Sequence, residues 1–335
     1  MALRSWLTFL CLVGIDHPVR ALPASPLSTA DRARLAEASS LIAELGNRLW
    51  PDWPGAPFAL LLVTDSTEYL MGHPRPTPDF AREVYDSMLR MQIWSRPRVF
   101  APTLLATFPA VGGLPTVVVG TAERTGKSSS GWVLTLLHEH FHQRQYSLPD
   151  YYQRSARLDL AAGDSSGGWM LNYPFPYDSA PVQVATREFA RALGGALDAG
   201  PGTRDRAVAA VIRARTALAK HLTSAENRYF EFQLWQEGIA RFIEYKAAQL
   251  ASDGHQPGAA YTALEDYESY KVLAERNRTT LRRELSNIDL GEDRRISFYP
   301  IGAALGQLLD LVNPRWQQRY RAEPFEVSSL LRTGD

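Results

Sequence analysis

The stretch Gly131–Tyr146, GWVLTLLHEHFHQRQY, is the one from which the rest of the chain can be read. Three serines, 128–130, stand before it and can cap a helix. Trp132, Val133, Leu134, Leu136, Leu137 and Phe141 make it apolar nearly all round, so a helix here is a buried one. Residues 138–142 read His-Glu-His-Phe-His, an H-E-x-x-H match. Positions i and i+4 share a helix face, so His138 and His142 can hold one metal ion between them. Glu139, one position on, can reach a water at that metal and serve as its general base. His140 lies about 200° around the helix from His138 and reads as a packing or hydrogen-bonding residue. A buried helix does not leave two histidines and a glutamate on one face without partners.

Outward from this segment, the chain divides into halves of different character. Thr29 to Trp50 repeats Leu35, Ala38, Leu41, Ile42, Leu45 and Leu49 at helical spacing, and Pro51 and Pro54 stop it. Phe58 to Val63 suits a buried strand, and Gly72 to Asp79 a loop. Arg98 to Ala101 and Leu104 to Phe108 are possible strands, and Thr116-Val117-Val118-Val119 within Pro115–Gly120 is a strong β-branched strand signal. Tyr151 to Pro181 is rich in glycine, proline and aromatics and reads as an ordered loop. Helical spacing then predicts helices over about 182–198, 203–222, 225–250, 260–286 and 299–312. The expected fold class is α+β. A mixed α/β region, 22–150, ends in the motif helix, and a largely helical region, 151–335, follows it.

Two histidines do not complete a catalytic zinc site, which needs a third protein ligand and an open position. The metzincin pattern requires Gly and His where this chain has Gln145 and Leu148, and a cysteine ligand is excluded because Cys11 stands alone. His17, His73, His221 and His255 lack supporting context. Residues 235–245, Trp-Gln-Glu-Gly-Ile-Ala-Arg-Phe-Ile-Glu-Tyr, offer more. Thr223 and Glu226 form a capping box that starts a helix there, and Glu237 and Glu244 fall amid Leu234, Trp235, Ile239, Phe242 and Ile243. Carboxylates among so many apolar neighbours usually need a cation.

This segment resembles the E-G-x-A-x-aromatic-x-E segment of gluzincins such as the zinc aminopeptidases. The resemblance implies a zincin-like fold, one zinc ion, and Glu237 as its third ligand. Gly238 and Ala240 would let this helix press against the motif helix. Glu244, seven residues on, could orient a zinc-bound histidine. Gluzincins often set a tyrosine or histidine over the zinc to polarise the substrate carbonyl. Tyr299 is the candidate by its helix-start position, with Tyr245, Tyr267, Tyr270 and His255 as competitors.

The functional expectation is a zinc-dependent hydrolase, a peptidase acting on peptide or protein substrates. The rivals are an inactive zincin that only binds, and a zinc hydrolase of another bond. Substrate is expected along Pro115–Gly120 as an added strand, unless that strand is already paired on both sides. Lys plus Arg and Asp plus Glu both number 36, so charge argues for neither nucleic acid nor anionic membrane as partner. Arg4 and the apolar run Trp6 to Ile15, followed by Val19-Arg20-Ala21, read as a signal peptide over 1–21, hence a secreted or periplasmic protein without a stable membrane span. Gly163–Gly168 only imitates a serine-protease motif, having one serine too many. Trp169 to Tyr177 can line a cleft or pack a junction, the latter being favoured.

Overall fold

The computed structural model describes residues 24–51, 53–164 and 166–332. The expected leader, with Cys11 and His17, lies outside the described residues.

Helix α1, Thr29–Leu49, begins where the Ser28 hydroxyl accepts from Asp31 N–H, and it buries the expected apolar stripe. A six-stranded mixed sheet follows: β1 Leu60–Val63, β2 Thr67–Met71, β3 Ala81–Asp86, β4 Met91–Pro97, β5 Leu105–Val111 and β6 Leu114–Gly120, in the order β3-β4-β2-β1-β6-β5. The strands β2, β3 and β4 were not anticipated, and Arg98–Ala101 is not a strand. Val117, Val118 and Val119 are fully buried, as a central strand requires. Strand β6 pairs in parallel with β1 (Leu60↔Val117) and antiparallel with β5 (Leu105↔Val119). Both edges of Pro115–Gly120 are therefore taken, which overturns the expected docking of a peptide there. The unpaired edge on this side of the sheet belongs to β5. Pro109 interrupts its ladder, and the register shifts between Phe108 and Val111.

Helix α2, Ser129–Tyr146, carries the motif and packs on β5 and β6. The Trp132 indole N–H donates to the Gly120 carbonyl at 2.8 Å, and the Gln143 amide donates to the Ala59 and Pro115 carbonyls at 2.7 and 3.0 Å. These bonds tie both ends of the helix to the sheet. Its N-terminus is closed by Ser128, whose hydroxyl accepts from Gly131 N–H, and by Asp266, which accepts from Ser129 N–H.

The remainder is helical: α3 Tyr151–Ala156, α4 Trp169–Asn172, α5 Ala180–Asp198, α6 Pro201–Ala219, α7 Ser224–Gln233, α8 Ile239–Ser252, α9 Ala259–Thr262, α10 Tyr270–Ser286, α11 Leu290–Asp293, α12 Phe298–Val312 and α13 Trp316–Ala322. The expected capping box of Thr223 and Glu226 opens α7. The helix expected over 225–250 is not continuous. A π-turn, Leu234–Gly238, separates α7 from α8, with Ile239 N–H donating to the Leu234 carbonyl. The helix expected over 260–286 is also broken, between α9 and α10. Helix α8 does pack on the motif helix, but Gly238 itself is turned elsewhere. It faces Gly302 of α12, where a Cβ on Gly238 would lie 2.5 Å from the Gly302 Cα. One apolar cluster runs from α1 through α2 to α12 and α13, so both halves share a core. Among the described residues no helix is long and apolar enough to cross a membrane.

Candidate metal centre

Helix α2 and the π-turn bring three donor atoms to one point. Glu237 Oε2 lies 3.6 Å from His138 Nε2 and 3.5 Å from His142 Nε2. Glu139 is the other carboxylate here. His138, Glu139 and His142, all buried, have ligand-type atoms within 4.8 Å of one another. Glu237 is the nearer of the two to both imidazoles. Donors bound tetrahedrally at about 2.0–2.1 Å stand about 3.3–3.4 Å apart, close to the two histidine–Glu237 separations.

Each histidine has its outer nitrogen engaged, which leaves Nε2 to face inward. His138 Nδ1 lies 2.6 Å from Glu244 Oε1, the orienting contact expected for that carboxylate. His142 Nδ1 lies 2.6 Å from Gln145 Oε1, a partner the sequence reading passed over. That residue was considered only as a position where a metzincin would differ. Its signal was available: a buried amide three residues after His142, near the same helix face.

Charge at this point is strongly coupled. Burial works to lower the pKa of His138, but Glu237 and Glu244 outweigh it and raise the ring to about 9. Burial likewise works to raise Glu237, and His142 and His138 hold it well below the usual carboxylate range. Glu244 is also lowered against its own burial, chiefly by Arg241 and then by His138. His138, Glu237 and Glu244 thus each hold charge against their own burial through one another and through Arg241 and His142.

The surroundings supply the remaining chemistry. The Thr107 hydroxyl, on β5, is 2.9 Å from Glu139 Oε2 and 2.9 Å from the Glu139 carbonyl oxygen. It pins the glutamate to the sheet edge. The Tyr299 ring stacks beside His138, with centroids 6.2 Å apart and planes 13° from parallel. Arg295 donates to the Tyr299 hydroxyl at 2.9 Å and lies 3.4 Å from Glu237 Oε1. Arg241 lies 5.6 Å from the Tyr299 ring centroid. Burial, and then Glu237, push the Tyr299 phenol well above its ordinary range, so it stays a hydroxyl donor. The sequence reading did not single out Thr107, Arg241 or Arg295 as parts of the site.

Tyr299's competitors each have another partner. Tyr270 donates to Glu37, Tyr267 packs edge-on against Tyr261, and Tyr245 is turned to Arg241. His140 is a packing residue, as expected. Its Nδ1 meets Gln143 Oε1 at 2.8 Å, its ring sits against Trp53 and Phe58, and burial lowers its pKa to about 4. Trp169, Tyr173 and Phe175 pack on Phe232, Tyr229 and Phe298, so that segment joins the helices, as favoured. No family profile, curated protein or solved structure matches the chain.

Proposed function

We propose that this protein is a zinc-dependent hydrolase with a zincin-like arrangement of the gluzincin kind, acting on peptide bonds. The observation that carries the reading is the convergence of His138 Nε2, His142 Nε2 and Glu237 Oε2 on one point, with both Nδ1 atoms engaged on the far side. Two imidazoles and one carboxylate are a donor set suited to zinc with a position left open. When bound, zinc supplies a Lewis acid that polarises a carbonyl and acidifies water.

The chain's own residues account for the rest. Glu139 has one oxygen held by Thr107, so the other is free to take a proton from the attacking water and pass it to the leaving amine. Tyr299 presents a neutral hydroxyl beside His138, where it can donate to oxygen charge developing on the substrate carbonyl. Arg295 holds that hydroxyl in place and strengthens it as a donor. Strand β5 pairs with β6 alone among the described residues, and Thr107 lies on it, which supports a peptide added along β5 rather than β6. The apolar run from Trp6 to Ile15 supports export as the setting.

Incubation of the mature protein with a peptide library, with and without a chelator and with zinc restored, tests the reading. Cleavage lost with chelator and recovered with zinc is expected. Zinc bound without cleavage of any peptide would leave a binding protein or a hydrolase of another bond. No zinc bound would end the proposal.

A further inference from the structure

We propose that Gln145 is a strut that ties the orientation of His142 to the π-turn presenting Glu237, so that one side chain sets two of the three metal-facing groups. This rests on the metal site proposed above, but not on peptide hydrolysis. Gln145 is 1% exposed, and its Oε1 faces His142 Nδ1 at 2.6 Å. Its amide nitrogen crosses to the other side of the site. Nε2 lies 2.8 Å from the Trp235 carbonyl oxygen, 3.0 Å from that of Gln236 and 2.7 Å from the Tyr320 hydroxyl. Tyr320 in turn donates to the Trp235 carbonyl at 2.8 Å.

Both carbonyls belong to the turn Leu234–Gly238. A π-turn widens the hydrogen-bonded ring and departs from the favoured i→i+4 ladder, so groups outside the helix must help to hold it. Here those groups are the amide of Gln145 and the hydroxyl of Tyr320, whose ring stacks on Trp235 with centroids 4.8 Å apart. The arrangement has one consistent sense. When His142 offers its Nε2 lone pair to a metal, Nδ1 carries the proton and the nearer amide, Gln145 at 2.6 Å, offers it oxygen; the Gln236 side-chain amide lies farther from the same nitrogen, at 3.1 Å. The NH2 of Gln145 is then the end left for the turn. Reversing the amide would set oxygen against the Trp235 and Gln236 carbonyls. The imidazole tautomer, the amide and the turn therefore lock together, and Glu237 follows the turn.

Gln145→Glu separates this role from simple support of His142. The carboxylate keeps an acceptor for Nδ1 but has nothing to donate to Trp235 and Gln236. Support of His142 alone predicts zinc binding as tight as in the parent, or tighter. The strut predicts zinc binding weaker by about 10–100-fold in chelator competition. Tyr320→Phe, which touches no ligand, should weaken zinc in the same direction by less. In a Glu237→Ala background the loss caused by Gln145→Glu should disappear, because the turn no longer carries a ligand. In the metal-free protein, Gln145→Glu should speed hydrogen exchange of the 234–240 amides, whereas Glu244→Gln should not. Parent-like zinc affinity in Gln145→Glu, or unchanged exchange in that segment, overturns the proposal. A parent that binds no zinc removes the metal reading itself, and the exchange comparison still decides whether Gln145 holds the turn.

Discussion

Two regions of this molecule bury histidine among carboxylates, and they use the ring in opposite ways. In the proposed metal centre, His138 and His142 spend Nδ1 on Glu244 and Gln145 and aim both Nε2 atoms at one carboxylate oxygen. At the junction of α1 with the turn after α8, His255 spends both nitrogens. Nε2 meets Glu37 at 2.7 Å and Nδ1 meets Glu44 at 2.6 Å, while Tyr270 also donates to Glu37. Both ring nitrogens of His255 are taken by carboxylate oxygens, so neither is left to face a metal. Composition alone would not separate the two places. What separates them is whether ring nitrogens are left over to converge on one point.

The largest effect expected from this contrast is on the proposed chemistry. Glu139→Gln keeps the shape beside Thr107 but cannot take a proton, so hydrolysis should fall by about 10²–10⁴-fold with zinc retained. His142→Ala should instead lose zinc in metal analysis, and activity with it. A Glu139→Gln variant as fast as the parent, or a His142→Ala variant with full zinc stoichiometry and affinity, would break the assignment of roles.

The second region should behave as pure structure. His255→Ala leaves buried Glu37 with only Tyr270 and Gly258 N–H as donors, which should destabilise the fold by about 1–3 kcal/mol in urea unfolding. Zinc content should not change. If His255→Ala lost zinc at a temperature where it is still folded, the distinction between converging and spent nitrogens would be wrong.

These contrasts also show how far the sequence could be read. The motif helix was legible because its evidence is local: serine caps, an apolar face and an i, i+4 pair all lie within one run of chain. Glu237 and Glu244 were reached through a resemblance, and the fold brings both carboxylates within reach of the histidines. The π-turn that presents Glu237 was not legible. It depends on Gly238 meeting Gly302 and on Gln145 and Tyr320 meeting its carbonyls, contacts between segments far apart in the chain. The sheet was misread for a related reason. The strongest β-branched run, Thr116–Val119, marks the strand buried in the middle, whereas the open edge is the weaker Leu105–Val111. Pro109 was the available signal, since proline is tolerated at an edge and not in a central strand.

A smaller effect tests the link between that edge and the proposed base. Thr107→Val removes the hydroxyl at Glu139 while nearly preserving side-chain volume. One hydrogen bond to a charged group is worth about 1.5–3 kcal/mol, so kcat should fall about tenfold or more, with zinc affinity close to the parent's. Thr107→Ser should recover much of the loss. Equal loss in Val and Ser variants would mean that the site needs the methyl group of Thr107 and not its hydroxyl.

The smallest expected effect belongs to a third kind of buried histidine, which completes the comparison. His73 is 8% exposed and lies against the end of β5. Its Nδ1 accepts from Arg75 N–H at 3.2 Å and its Nε2 donates to the Val111 carbonyl at 3.2 Å, so the ring is bonded on both sides as the neutral tautomer. Burial lowers its pKa below the ordinary value, the charge of Arg75 adds to the shift, and the bond to the Val111 carbonyl opposes it. A histidine whose folded pKa is depressed contributes stability above its unfolded pKa of about 6.5 and loses it as pH falls toward the folded value. Protonation of Nδ1 would also abolish its bond from Arg75, a loss of about 1 kcal/mol. The parent should therefore lose about that much stability relative to His73→Asn, which cannot titrate, when urea unfolding at pH 7.5 is compared with unfolding near pH 5. The difference between the two proteins isolates His73 from the other groups that titrate in this range. Parallel pH profiles would mean that the ring is not held neutral, and that bonding on both sides does not by itself report the charge of a buried histidine.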